Sequence, residues 1–316
     1  MSPPPPADQP AGDQPAGDQP AGAPAAAAPV RPTAVTAALL AGWPLPDPDS
    51  GGDKHARGTV VVAGGATSTP GAVLLAGLAA LRAGAGRLTV LTVDTTSVPV
   101  GVALPEALVV GLPADERGSL SPDAADELLS VCERAGAVVL GPGLLGAAGA
   151  GELLARVLPR LPAHVLVLLD AVALTAVGER PELLDPVRGR VLLTPNSGEL
   201  AALTDGGQEG PEAAVCVAAH HGAVVATRGW VATPDGALWH NEAGNVGLGT
   251  SGSGDVLAGT VGGLLARGAE PVQAAVWGQH LHTVCGDRLS RRRGPLGFLA
   301  RELLEELPGA MADLRP

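Results

Sequence analysis

Gly-Thr-Ser-Gly-Ser-Gly-Asp occupies residues 249–255, and a helix-like run from Val256 to Arg267 follows it directly. Small residues let a backbone approach a ligand without clashes from Cβ atoms. The first turn of a helix leaves backbone N–H groups unpaired, and an anion such as a phosphate binds there. The N–H groups of Gly252, Ser253 and Gly254 are therefore a candidate anion hole.

Asp255 lies at the edge of this anion hole, and its carboxylate has two interpretations. In the first, it takes the proton from a hydroxyl group that is being phosphorylated. In the second, Asp255 only caps the helix and the glycines only form a turn, because Asp is a favoured N-cap residue. The local pattern alone leaves both open.

The acidic composition argues against one class of partner. The 316 residues include 20 Lys and Arg against 32 Asp and Glu, which gives a net charge of −12. A protein of this charge gains nothing from the electrostatics of a phosphate backbone, so we expect no nucleic-acid binding. A small anionic ligand can still bind through local N–H groups.

No metal site is predicted from the cysteines and histidines. Cys132, Cys216 and Cys285 are far apart and show neither a disulfide framework nor zinc-site spacing, so buried free thiols in a reducing compartment are expected. The pairs His220/His221 and His280/His282 lack the spacing of known metal motifs.

The N-terminal segment, residues 1–33, is of low complexity, with a five-residue Ala-Gly-Asp-Gln-Pro repeat. It has too little apolar surface to offset chain entropy, so we expect a disordered tail before a single domain at residues 34–316. It has no secretory signal pattern, and no stretch approaches the length of a membrane span. The cytoplasm is then the default location.

Short apolar strands alternate with helices from residue 59 onward, which predicts an α/β fold with a mostly parallel sheet covered on both faces. Ligands of such sheets bind at the carboxyl ends of the strands. We therefore expect the loops that follow the strands to gather at one edge. These loops are Gly64–Gly71, Gly141–Gly143, Asp170, Thr194–Glu199 and Gly249–Asp255. Taken singly, the first two are only turn signals, and Asp170 could simply cap the next element.

Several motifs in order resemble the ADP/ATP-dependent NAD(P)H-hydrate dehydratase family of the ribokinase-like superfamily. The resemblance runs over nearly all of residues 54–310, and Gly252–Gly259 is its most specific segment. The other matching segments are Lys54–Gly58 with the Val-Val-Val-Ala-Gly-Gly that follows, Pro70–Ala72, Leu81–Gly86, Leu104–Glu106, Gly141–Leu144, Thr194-Pro195 with Glu199, Gly244-Asn245, and His282 with Gly286-Asp287.

The resemblance implies a three-layer ribokinase-like fold and a metabolite-repair lyase. Such an enzyme phosphorylates the ring hydroxyl of hydrated NADH or NADPH with ADP or ATP and then eliminates phosphate. Asp255 would be the base, and Mg²⁺ would accompany the nucleotide. By position, Ala72, Gly143, Asn196 and Asp255 would bind the hydrated cofactor. Gly254 and the segment Arg228, Gly229, Trp230, Val231 and Ala232 would bind the adenine nucleotide. The resemblance also implies a homo-oligomer, and the family's separate epimerase domain has no counterpart here.

The chain departs from the family pattern at five positions. Asn196 replaces a histidine, Val172 a carboxylate, Ala232 a threonine, Arg228 a lysine, and Ser251 a glycine. Two other functions therefore stay open. One is a ribokinase-like kinase of a small alcohol, of the thiazole or pyrimidine type, which releases its phosphorylated product. The other is a nucleotide-binding regulator with impaired catalysis.

Overall fold

The computed structural model describes residues 31–46, 57–204 and 207–314. Lys54 and all but the last three residues of the predicted tail, 1–33, lie outside these ranges. The described residues from Arg31 onward pack as one compact unit. The first strand begins at Thr33, one residue before the predicted start of the domain.

Ten strands in the described ranges form one sheet, and the order across it is β1-β10-β9-β8-β7-β6-β5-β2-β3-β4. Neighbouring strands are parallel except that β9 runs antiparallel to both β8 and β10. The predicted mostly parallel sheet is thus confirmed. The strands are β1 Thr33–Ala34, β2 Thr59–Ala63, β3 Arg87–Val93, β4 Ala107–Leu112, β5 Ala137–Leu140, β6 Leu166–Leu169, β7 Val191–Leu193, β8 Val224–Thr227, β9 Trp230–Ala232 and β10 Leu238–His240.

Helices cover both faces of this sheet, and short 3₁₀ turns join some of them. The helices are α1 Ala37–Ala41, α2 Pro70–Arg82, α3 Asp94–Ala103, α4 Ala125–Cys132, α5 Ala147–Val157, α6 Val172–Glu179, α7 Ser197–Ala202, α8 Gly210–His221, α9 Ser253–Ala266, α10 Pro271–Arg293 and α11 Ala300–Ala312. None of the helices in the described ranges is long and apolar enough to cross a membrane.

Alternate side chains of each central strand enter two separate cores, because successive residues of a strand point to opposite faces. Val60 and Val62 of β2 pack with α2, α9, α10 and α11, whereas Val61 and Ala63 pack with α4, α5, α6 and α8. The strands are apolar throughout because both faces are buried. The expected three-layer arrangement is confirmed.

Glycines bring α9 unusually close to α2 and to the sheet. A Cβ on Gly259 would lie 2.0 Å from the carbonyl oxygen of Ala76, and a Cβ on Gly263 would lie 2.4 Å from that of Ala80. On another side of the helix, a Cβ on Gly262 would lie 2.3 Å from a methyl group of Val139. These contacts fix the helix that follows the Gly-Ser-Gly-Asp motif.

Two expectations need correction. The loop at residues 249–255 does not directly follow a strand, since β10 ends at His240 and a 3₁₀ turn, Val246–Leu248, intervenes. Not all three thiols are buried: all are free, but Cys216 is exposed on α8. Burial raises the pKa of Cys132 and of Cys285 to about 12, so these two are unreactive thiols.

Candidate active site

The loops at the carboxyl ends of β2, β5, β6 and β7 contact one another in turn. The N–H of Gly65 donates to the carbonyl of Pro142 at 2.7 Å. A Cβ on Gly141 would lie 1.9 Å from the carbonyl oxygen of Asp170, so this turn needs glycine to reach the end of β6. Thr194, after β7, donates its hydroxyl to Asp170 Oδ1 at 2.8 Å. The strand-end loops therefore meet at one edge, as the parallel sheet predicted.

Helix α9 begins earlier than the sequence suggested, at Ser253 instead of Val256. Its N-cap is Gly252, whose φ of +85° lies in the left-handed region that glycine adopts readily. Asp255 is the third residue of the helix, and α9 has no side-chain cap hydrogen bond. The interpretation of Asp255 as a helix cap is therefore wrong, and its carboxylate is available for another role.

The unpaired N–H groups at the start of α9 match the predicted anion-hole donors only in part. The N–H of Ser253 donates to the carbonyl of Thr250 at 3.2 Å, so it is already occupied. The N–H groups of Gly252, Gly254 and Asp255 have no acceptor within the described ranges. These three are the unpaired donors expected at a helix N-terminus, and they can bind an anion.

A buried histidine holds this turn in place from the neighbouring helix. His282 of α10 places Nε2 2.9 Å from Ser253 Oγ and 3.0 Å from the carbonyl oxygen of Ser253. Burial lowers the pKa of His282 to about 4, so its ring is neutral at neutral pH. From the sequence, His282 was only one residue of a matching segment, and its contact with Ser253 could be identified only from the structure.

Two carboxyl groups, those of Asp255 and Asp170, interact electrostatically where α9 meets the end of β6. Burial raises the pKa of Asp255 to about 6. Burial also raises the pKa of Asp170 to about 7, and the negative charges of Asp255 and Glu199 add to this effect. Because the two carboxylates repel each other, ionisation of one opposes ionisation of the other. The two groups titrate in the range where acid–base catalysts work.

Two of the predicted substrate-site residues, Ala72 and Gly143, are in contact. A Cβ on Gly143, whose φ is +70°, would lie 2.8 Å from the Cβ of Ala72. The hydroxyl of Thr69 fixes the same turn by donating to the Gly143 carbonyl at 2.7 Å. Ala72 and Gly143 thus belong to the cluster of loops that surrounds Asp170.

Asn196 is exposed and is the N-cap of α7. Its Oδ1 accepts from the N–H of Glu199 at 3.0 Å, and the Glu199 carboxylate accepts from the Asn196 N–H at 2.9 Å. This reciprocal pair is a capping box. The side-chain oxygen of Asn196 is therefore engaged, and only its amide N–H groups are available to a substrate.

The predicted nucleotide segment, residues 228–232, forms a turn and a strand. Arg228 has a φ of +37° and donates from Nη1 to Ser197 Oγ at 2.9 Å. Trp230 begins β9 and stacks on His240, with ring centroids 3.9 Å apart. The side chains of Val231 and Ala232 are buried in the core, so only their backbone could meet a nucleotide. Within this segment, Arg228, Gly229 and Trp230 are therefore the residues best placed to contact a nucleotide.

Comparison with known proteins gives a consistent result. The profile of a family described as NAD(P)H-hydrate dehydratase matches residues 60–309. An ADP-dependent (S)-NAD(P)H-hydrate dehydratase of Xanthomonas campestris pv. campestris is 42% identical over 294 residues, which cover 90% of this chain and 98% of that protein. A bifunctional NAD(P)H-hydrate repair enzyme of Moorella thermoacetica is 34% identical, and this chain spans only 54% of its length.

Two solved structures are also similar. A ribokinase-like superfamily protein of Enterococcus faecalis matches with a TM-score of 0.77 and 25% identity, over 90% of this chain and 96% of that one. The ADP/ATP-dependent NAD(P)H-hydrate dehydratase of Bacillus subtilis, co-crystallised with ATP and Mg²⁺, matches with a TM-score of 0.74 and 27% identity, over 90% and 99%.

Proposed function

Because the chain belongs to the NAD(P)H-hydrate dehydratase family, we propose that the loops around Asp170 and Asp255 form the active site of an ADP-dependent dehydratase. The enzyme converts hydrated NADH or NADPH back to NAD(P)H and so repairs damaged cofactor. We assign the activity to one domain over residues 34–316. The observation that carries the proposal is an uncapped helix start whose third residue is a half-buried carboxylate.

In the first half of the reaction, Asp255 takes the proton of the ring hydroxyl while that oxygen attacks the terminal phosphoryl group of ADP. The bond from this phosphorus to the bridging oxygen breaks, and AMP leaves. The free N–H groups of Gly252, Gly254 and Asp255 bind the negative charge on the transferred group. The Ser253–His282 contact keeps these donors in position, so they need not reorganise as the charge develops. A well-placed base contributes about 10²–10⁴-fold to such a step.

Arg228 and Gly229 lie at the end of β8 and are the proposed contacts for the nucleotide. The guanidinium group of Arg228 is exposed and carries a charge suited to phosphate. Its bond to Ser197 orients it beside the N-terminus of α7. This arrangement is compatible with ADP and with ATP, and we propose ADP because the relative from Xanthomonas campestris is named ADP-dependent.

Mg²⁺ is the metal we propose for the nucleotide phosphates. The described ranges contain no group of three or more His, Cys, Asp or Glu side chains that could hold a metal ion. Mg²⁺ usually takes only one or two protein carboxylates and keeps phosphate oxygens and water as its other ligands. A phosphate-held ion fits this chain and would supply neutralising charge beside the transferred group.

We also propose a homo-oligomer, and a cytoplasmic location in keeping with the nucleotide substrates. Val98 and Val102, one turn apart on α3, and Leu108 on the edge strand β4 are 74%, 79% and 61% exposed. Exposed apolar side chains beside the free edge of a sheet mark an interaction surface. Light scattering should give a mass above that of one chain, and Val98→Lys with Val102→Lys should lower it.

One assay tests the function. The protein is incubated with hydrated NADH and either ADP or ATP, and the recovery of NADH absorbance is followed. Recovery with a nucleotide, and none without it, is expected. If NADH absorbance recovers neither with ADP nor with ATP, although the protein binds nucleotide, the proposal is contradicted. Release of a stable phosphorylated product instead of NADH would identify a small-alcohol kinase.

A further inference from the structure

The dehydration needs two proton acceptors, and the first half of the reaction uses one. Phosphorylation sends the hydroxyl proton to Asp255. In the second half, the bond between the ring carbon and the phosphate oxygen breaks, and its electron pair leaves with phosphate. The neighbouring ring carbon must then lose a proton so that its C–H electron pair forms the new C=C bond. Asp255 is already protonated at this point, so it can supply the proton that the departing phosphate needs, and a separate group is left to take the proton of the ring carbon.

Asp170 lies where such a group is needed. It follows β6 directly beneath the turn of Gly141, and it is a charged neighbour of Asp255. Its exposed fraction is 5%, which places the carboxyl within the site and away from bulk water. A base that works on a carbon-bound proton benefits from this exclusion of water, because its carboxylate is poorly solvated and therefore reactive.

The contacts of Asp170 hold its carboxyl group in one orientation. Oδ1 accepts the hydroxyl of Thr194 at 2.8 Å, and the backbone N–H of Ala171 also donates to the carboxyl group. Ala171 has a φ of +53° and a ψ of −128°, a strained conformation for a residue with a Cβ. Only Ala171 and Arg228 among the described non-glycine residues have positive φ, and both follow strands at this edge. Strain of this kind is retained where function requires it.

We propose that the carboxylate of Asp170 takes the ring C–H proton during the elimination of phosphate, so that Asp255 and Asp170 serve the two halves of the reaction in turn. This inference rests on the proposed dehydratase function. The phosphate leaves from the side of the anion hole at α9, and the proton leaves toward the end of β6. Asp255 passes its proton to the departing phosphate, and Asp170 returns its proton to solvent as the products depart.

The charges around Asp170 suit this role. The titratable groups that face it are Asp255 from α9 and Glu199 from α7, and both are acidic. When Asp255 has accepted the hydroxyl proton, its negative charge is gone and the repulsion on Asp170 falls. Asp170 can then hold its charge at neutral pH until the second proton transfer. The order of the two steps is therefore built into the electrostatics of the pair.

The test separates the two halves of the reaction in Asp170→Asn. Asn keeps the Oδ1 acceptor for Thr194 and removes only the basic carboxylate. In a single turnover with ADP, AMP formation should stay within about tenfold of the parent, whereas NADH formation should fall by about 10²–10⁴-fold. The phosphorylated hydrate should accumulate and be visible by mass spectrometry. Asp126→Asn, the same change at an exposed residue of α4 that pairs with Arg160, should leave both steps unchanged.

An isotope effect provides a second measurement. A hydrate deuterated at the ring carbon beside the hydroxyl should give a larger isotope effect on NADH formation in Asp170→Asn than in the parent, because proton removal becomes limiting. If Asp170→Asn makes NADH at the parent rate, or loses AMP formation as completely as NADH formation, Asp170 is not the second base. Absence of turnover in the parent would instead contradict the dehydratase function itself.

Discussion

Gly259→Ala should damage the active site although Gly259 lies in the core. The added Cβ would be 2.0 Å from the carbonyl oxygen of Ala76 and 2.7 Å from two other backbone atoms of Ala76, about 1.4 Å short of an ordinary 3.4 Å contact. Neither helix has a flexible side chain there that could move aside, so α9 must shift away from α2. Overpacking of this kind costs about 1–3 kcal/mol of unfolding free energy. The helix that shifts carries Asp255, and a displacement of about 1 Å can cost on the order of 10²-fold in rate.

The assay compares thermal unfolding and NADH recovery for the parent, Gly259→Ala and Gly101→Ala. Gly101 is a matched control, because its Cβ on α3 would make only ordinary contacts at 3.8 Å with Val109. We expect Tm to fall by roughly 2–10 °C in Gly259→Ala and kcat to fall by on the order of 10²-fold. Gly101→Ala should keep its activity and gain about 0.5–1 kcal/mol of stability, since Gly is a poor helix residue. The reasoning is refuted if Gly259→Ala keeps both Tm and kcat near the parent values.

Three further predictions concern the site. Asp255→Asn should lower kcat by about 10²–10⁴-fold while ADP binding, measured by calorimetry, survives; a variant within tenfold of the parent would exclude Asp255 as the base. Asp170→Asn should be more stable than the parent by an amount on the order of a few kcal/mol at pH 8, and by less at pH 5. The pKa of the buried Asp170 carboxyl is higher in the folded state than in the unfolded state. Between about pH 4 and 7 the folded parent therefore binds more protons than the unfolded parent, and its stability falls as pH rises through this range. Equal denaturation midpoints of parent and variant at pH 8 would show that burial does not penalise this charge. Asn196→Ala should cost about 1 kcal/mol through loss of the α7 cap, whereas Asn196→Ser should cost little; a full loss of activity in the serine variant would assign the amide to substrate binding.

The central sheet could be predicted from the sequence because its strands are short, apolar and buried on both faces. Strands β2, β5 and β7 are short, mostly aliphatic runs of this kind. The strands β1, β9 and β10 were not predicted, because each contains a threonine, tryptophan or histidine and none is an unbroken aliphatic run like that of β7. Their place in the sheet depends on pairing with β8 and with one another.

The start of α9 shows a different limit. Gly252, Ser253 and Gly254 are poor helix residues, so the sequence indicated a loop up to Asp255. In the structure, Ser253 is buried and anchored by His282, and this tertiary contact outweighs the weak local preference. A shift of a few residues decides whether Asp255 is a cap or a catalytic group, and the sequence alone left both possibilities open.

The loss of a carboxylate at Val172 bears directly on whether this chain is an enzyme. The corresponding family segment, Asp-Ala-Asp-Ala-Leu, carries two acids, and the second of them is replaced here by Val172, the first residue of α6, which is partly buried against the core. The valine side chain lies among apolar neighbours, so a valine in place of the family's aspartate removes a charge without opening a cavity. Asp170, the first acid of the segment, keeps its contacts with Thr194 and its electrostatic link to Asp255. The two proton acceptors proposed for the dehydration are therefore both present, which argues against an impaired regulator and for a working dehydratase.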